Sequence, residues 1–195
     1  MSTLDLRPAV SATASVVAAV PDVDLTGRTP CPDWSVADLL DHLGGLAVAF
    51  TMSARKQPLD MTGGPVVDGS RLEPGWRDRI VAALHELGEA WATTPRAFEG
   101  RTEAGPIEMA AEEAALVGLN EVVVHGWDLA AATGAPYDVD PASATACLGF
   151  VRSFEPPGDG DDTGGLFGPP VTPAADASPL HQLVAATGRR PDWTP

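Results

Sequence analysis

The stretch from Leu116 to Ala132 reads Leu-Val-Gly-Leu-Asn-Glu-Val-Val-Val-His-Gly-Trp-Asp-Leu-Ala-Ala-Ala, and it constrains the fold more than any other part of the chain. It is too long for an ordinary strand and holds no proline, so it reads as a helix. Its surface is apolar on nearly every face, which only a helix enclosed by others tolerates. Within it, Glu121 and His125 are four residues apart, and Asp128 follows three later. At about 3.6 residues per turn these side chains fall along one face. Burial costs about 2–7 kcal/mol for each polar group left without a partner. Two arrangements supply the partners. A metal ion can be held by the Glu–His pair and a histidine from another helix. Alternatively, a core histidine can hydrogen-bond to the glutamate. The spacing leaves both open.

The rest of the chain supplies the surrounding helices. Leu6, Val10, Ala14, Val17 and Val20 recur at helical period and predict a first helix over about 6–20. Ser35 followed by Asp38 is the pattern of an N-cap with a capping acid, opening a second helix. Its stripe is Val36, Leu39, Leu40, Leu43, Ala47 and Phe50. His42 lies on the flank of that stripe, where Gly45 and Ala49 leave room for a ligand. Trp76, Ile80, Leu84, Leu87 and Trp91 mark a third helix over about 74–93, with His85 on its opposite, charged side. The fourth helix is expected over about 109–133, closed by Gly134. Asp140-Pro141 opens a fifth, to about Ser153, and Ser178-Pro179 a short last one. Residues 56–70 and 94–106 read as loops, and strand signals are weak. The expected fold is all-α: a four-helix bundle with an additional helix in residues 1–154, and a loop-rich C-terminal extension, 155–195, packed on the same domain.

The chain has 195 residues, and its apolar content of 44% is enough for a real core. A formal charge of −15 argues against nucleic acid and anionic membrane surfaces as partners. The first residues, Met-Ser-Thr-Leu-Asp-Leu-Arg, lack a basic segment followed by an apolar one, and no apolar run is long enough to span a bilayer. These features set the expectation of a cytoplasmic, reducing location, in which Cys31 and Cys147 are free thiols.

Asp128 could be a fourth ligand, orient a ligand histidine or accept from backbone donors of a loop, and the last two are favoured. Cys31 has no general base adjacent in sequence and reads as a small buried side chain of the Pro-rich turn. Trp127 reads as core, His85 as solvated and His181 as surface. No phosphate-binding glycine loop or Gly-x-Ser-x-Gly elbow is present.

Three segments together resemble a known family: residues 29–43 (Thr-Pro-Cys-Pro-Asp-Trp-Ser-Val-Ala-Asp-Leu-Leu-Asp-His-Leu), residues 121–134 with their His-Gly-Trp-Asp-Leu-Ala core, and the tail from Phe167-Gly-Pro-Pro-Val to Leu183-Val-Ala-Ala-Thr-Gly-Arg-Arg-Pro. They are similar to the DinB-like proteins related to the N-terminal domain of mycothiol-dependent maleylpyruvate isomerase. The resemblance implies a DinB-like bundle and a divalent metal, usually zinc, on His42, Glu121 and His125. It also implies a low-molecular-weight thiol of the mycothiol type as cosubstrate, and a small electrophile as substrate of transfer or isomerisation. The alternative is a non-catalytic metal- or small-molecule-binding bundle on the same ligands. The isomerase has a separate C-terminal domain, whereas only 155–195 follows the fifth helix here. The loops 56–70 and 155–177 are the expected walls of the pocket.

Overall fold

The computed structural model describes residues 4–22, 25–58, 66–154 and 167–195. Four helices form the bundle: α1 (Arg7–Ala19), α2 (Val36–Arg55), α3 (Trp76–Thr93) and α4 (Ala111–Thr133). Both α1 and α2 pack against α3 and α4. α5 (Pro141–Arg152) and α6 (Pro179–Ala186) pack on each other and on α4. Leu183 of α6 is fully buried in the common core with Leu39, Leu43, Leu84 and Leu119. The protein is therefore mostly helical, as the periodicities require.

The helix boundaries follow local chemistry. At the start of α2, the Ser35 hydroxyl accepts from the Asp38 amide (3.2 Å) and the Asp38 carboxylate accepts from the Ser35 amide (2.9 Å), a closed capping box. The other oxygen of Asp38 accepts from the Gly69 amide at 2.8 Å, tying a 3-10 turn over 69–71 to the same helix end. Gly134 ends α4 in the left-handed region (φ 68°), and Asp140 caps α5 by accepting from the Ser143 amide at 2.9 Å.

α4 runs through the centre, and Val122–Ala130 is a continuous buried run. Two glycines admit its neighbours. A Cβ at Gly118 would lie 2.9 Å from the Phe50 ring of α2, and one at Gly126 would lie 2.5 Å from the Tyr137 hydroxyl. In that second gap the Thr13 hydroxyl donates to the Val122 carbonyl (3.1 Å) and lies 2.9 Å from the Tyr137 hydroxyl.

One local expectation is corrected. Residues 101–110 are a β-hairpin rather than a loop running into a helix from Met109. β1 (Arg101–Ala104) pairs antiparallel with β2 (Ile107–Ala110), with Arg101 opposite Ala110, and α4 starts at Ala111. The hairpin is fixed by tertiary bonds that its charged sequence does not announce. The Thr102 hydroxyl donates to the Ser53 carbonyl (2.7 Å), and the Ser53 hydroxyl donates to the Glu103 carbonyl (2.5 Å). Among the described residues no helix is long and apolar enough to cross a membrane.

Candidate metal centre

α2 and α4 pack so that His42 meets the polar face of α4. His42 Nε2 lies 3.2 Å from Glu121 Oε2, and His125 Nε2 lies 3.3 Å from the same oxygen. The ligand atoms of all three lie within 4.8 Å of one another. Donors about 2.0–2.1 Å from a tetrahedral zinc ion stand about 3.3 Å apart, so two edges of this triangle already have the separation that a bound ion requires. His42 and His125 meet edge to face at 4.8 Å between ring centroids, and Trp34 covers both, at 4.8 and 5.6 Å.

Behind His125 sits Asp128, whose side chain is fully buried. Its Oδ2 is 3.0 Å from His125 Nδ1, leaving Nε2 to face Glu121. A carboxylate behind a histidine in this way sets its tautomer and raises its basicity as a ligand. Asp128 is itself neutralised by Arg189, which donates from Nε (3.0 and 3.2 Å) and Nη2 (2.9 Å).

The electrostatics follow from these contacts. Burial pushes Glu121 toward its neutral form, but the hydrogen bonds to His125 and His42 outweigh it and hold the carboxyl well below the ordinary range. Burial disfavours the charged form of His125, yet its contacts with Asp128, Cys31 and Glu121 raise its pKa well above that of a free imidazole. Asp128 is likewise lowered: burial opposes ionisation, and His125 and Arg189 override it.

The three residues line a cavity of about 620 Å³, within the range of small-molecule sites. Its walls include Cys31 and Trp34 before α2, Asn120 and Val124 on α4, and Phe167, Gly168 and Thr187–Arg189 from the C-terminal segment. Of the expected walls, 167–168 contributes. Among the described residues of 56–70 none lines it, and 59–65 and 155–166, with the acidic loop, lie outside the described residues.

Cys31 is corrected by the structure. It is half-buried and lines the cavity, with Sγ 3.3 Å from Asp128 Oδ2 and 3.5 Å from Arg189 Nη2. The buried Thr29 hydroxyl lies 2.9 Å from the carbonyl oxygens of both Cys31 and Trp34, which share its one proton, and so folds the Pro-rich segment back over α4. Cys31, His125 and Asp128 form a second group of potential ligands. The Arg189 guanidinium already supplies the positive charge there, which favours the His42–Glu121–His125 set for a cation. Cys147 is fully buried, and burial pushes its thiol up to about 12. His85 and His181 are exposed, and Trp127 is buried.

Arg189 and Asn120 received no role from sequence. Arg189 is 61 residues from Asp128, and no local pattern reports that pairing. Asn120 carried a signal, as an amide inside the apolar run of α4 beside Glu121.

The chain is similar, at 30% identity over 93% of both chains, to an uncharacterized protein of Mycobacterium tuberculosis, matched in strains CDC 1551 / Oshkosh and H37Rv. Its fold matches crystal structures of the mycothiol-dependent maleylpyruvate isomerase and of a point mutant of it, with a TM-score of 0.57 at 19% and 18% identity. These alignments cover 75% of this chain and 66% of the solved ones, so this chain spans slightly less than two thirds of their length. Residues 6–130 match the model of the mycothiol maleylpyruvate isomerase N-terminal domain. The chain belongs to that family.

Proposed function

We propose that this protein is a metal-dependent enzyme that uses a low-molecular-weight thiol, of the mycothiol type, in transfer to or isomerisation of a small electrophilic substrate. The observation that carries the reading is the convergence of His42, Glu121 and His125 in the lining of a cavity, with His125 oriented by Asp128. The ligands are a divalent ion's donors of ordinary kind, and zinc suits them. Two imidazoles and one carboxylate leave a divalent centre with a net positive charge. When bound, such an ion lowers the pKa of a coordinated thiol and makes thiolate available at neutral pH.

The chain's own residues do the rest. His42 and His125 reach the centre through Nε2, and Asp128 holds His125 in that tautomer. Trp34 screens both rings from water on one side. Two routes suit a thiolate here. In transfer, sulfur bonds to carbon and the leaving group departs with its electron pair. In isomerisation, sulfur adds to a double bond conjugated to a carbonyl, the electron pair moves onto the carbonyl oxygen as an enolate, the resulting single bond rotates, and return of that pair expels the thiolate.

The membership of a family named for a mycothiol-dependent isomerase supports the thiol, and the electrophile is proposed only as a class. The alternative is a non-catalytic metal-binding protein on the same ligands, for which the capacity of the site to bind an ion is sufficient. Turnover of a chlorodinitrobenzene-type electrophile separates the two. The enzyme reading expects turnover that requires both thiol and metal and is lost in Glu121→Gln. Full metal loading without thiol-dependent turnover of any electrophile tested would leave the binding protein.

A further inference from the structure

Asn120 stands apart among the buried polar residues of α4. His125 and Asp128 are hydrogen-bonded, whereas Asn120, only 2% exposed, has a carboxamide oxygen with no hydrogen-bond partner among the described residues. The residue lines the cavity, immediately before Glu121 in sequence. A buried polar atom without a partner weakens the fold, and leucine, with the same branched side-chain skeleton, would fill this wall without that loss. A half-turn of the carboxamide exchanges its oxygen and nitrogen with little change in shape. The unpartnered oxygen is closed to solvent as the side chain stands, and this half-turn is the movement that would offer it to a ligand as an acceptor.

We infer that Asn120 is the ligand-recognition group of this cavity, binding a hydroxyl or amide of the thiol that reacts there. This rests on the reading of the site as a thiol-using metal centre. Asn120 lines the same cavity as His42, Glu121 and His125, so the group it binds and the sulfur belong to one small molecule seated there. The ligand class is a small thiol that carries a polar group. A simple alkanethiol lacks what this wall reads. Asn120 acts on binding and orientation of the thiol, not on proton movement.

The test uses the full chain loaded with cobalt, whose thiolate charge-transfer band reports thiol binding directly. 2-Mercaptoethanol and ethanethiol are titrated into wild type, Asn120→Leu and Asn120→Asp. The two thiols differ in acidity, so the quantity read is the change in the ratio of their dissociation constants between proteins. Loss of one neutral hydrogen bond lowers the preference for 2-mercaptoethanol by about 2- to 12-fold in Asn120→Leu. Asn120→Asp, which keeps an acceptor, retains the preference. Thermal unfolding of the metal-free proteins is read alongside, and Asn120→Leu is expected to melt no lower than wild type. An unchanged ratio in Asn120→Leu overturns the inference, and a lower melting temperature with that unchanged ratio assigns Asn120 a structural role. Cobalt binding with no thiolate band in wild type contradicts the thiol reading and takes this inference with it.

Discussion

Arg189 donates to both carboxylate oxygens of Asp128, from Nε at 3.0 and 3.2 Å and from Nη2 at 2.9 Å. The guanidinium comes from the segment after α6 and the carboxylate from the middle of α4. Asp128 Oδ2, which Arg189 shares, also holds His125 Nδ1 at 3.0 Å. The C-terminal segment is thus coupled to the candidate metal centre through one fully buried side chain.

Arg189→Met leaves Asp128 charged and buried with His125 as its remaining partner. The expected loss of stability is about 3–5 kcal/mol, as for breaking a buried ion pair on one side. Zinc affinity should fall by about 10- to 100-fold, because the orientation of His125 is relaxed. Denaturant unfolding and competitive zinc titration measure the two effects. Arg189→Lys, which keeps the charge but not the fork, should lie between.

Zinc uptake at pH 7 should release about one proton from His125. In the metal-free protein this imidazole is held protonated by Asp128, Cys31 and Glu121 against the effect of burial, and its Nε2 must be free of the proton to bind an ion. Glu121 is already ionised and contributes none. Calorimetry in buffers of different ionisation enthalpy counts the protons released. The same shifts set the acid-base stability of the metal-free fold. The contribution of His125 is complete below the ordinary imidazole pKa of about 6.5 and is lost as pH rises through its raised value. Those of Glu121 and Asp128 are present above the ordinary carboxylate range and are lost as pH falls through their depressed values.

Gly126→Ala tests the close packing around α4. The new methyl would meet the Tyr137 hydroxyl at 2.5 Å, so that side chain or the helix must shift. The expected cost is about 1–3 kcal/mol, read as a lower denaturation midpoint with an unchanged slope. Gly149→Ala, whose Cβ would meet nothing within 4 Å, serves as the control and should be neutral or stabilising.

The parts of this molecule that could be read from sequence are those governed by local rules. Ser35 and Asp38 announce a helix start, Gly134 a helix end and Asp140-Pro141 another start, and each is found there. The all-round apolar face of α4 announced its central place. Glu121 and His125 could be paired by spacing, and His42 was a candidate from its place beside Gly45 and Ala49 on the flank of α2, with the family resemblance adding to it. The hairpin over 101–110 was hidden because its stability comes from bonds to Ser53 at the end of α2. Cys31 was misplaced for a similar reason. It meets Asp128 across 97 residues of chain, through a turn that Thr29 folds.

The central claim is that His42, Glu121 and His125 hold one metal ion, and metal content tests it most directly. Untagged protein, with His42→Ala and His125→Ala prepared alongside, is refilled with zinc, desalted and measured by elemental mass spectrometry. The account predicts about one ion per chain in the wild type, following the His2Glu ligand set, and loss of that ion in both variants while the helical circular-dichroism signal remains. A wild type that holds no ion after refilling, or an ion that stays when either histidine is removed, would contradict it.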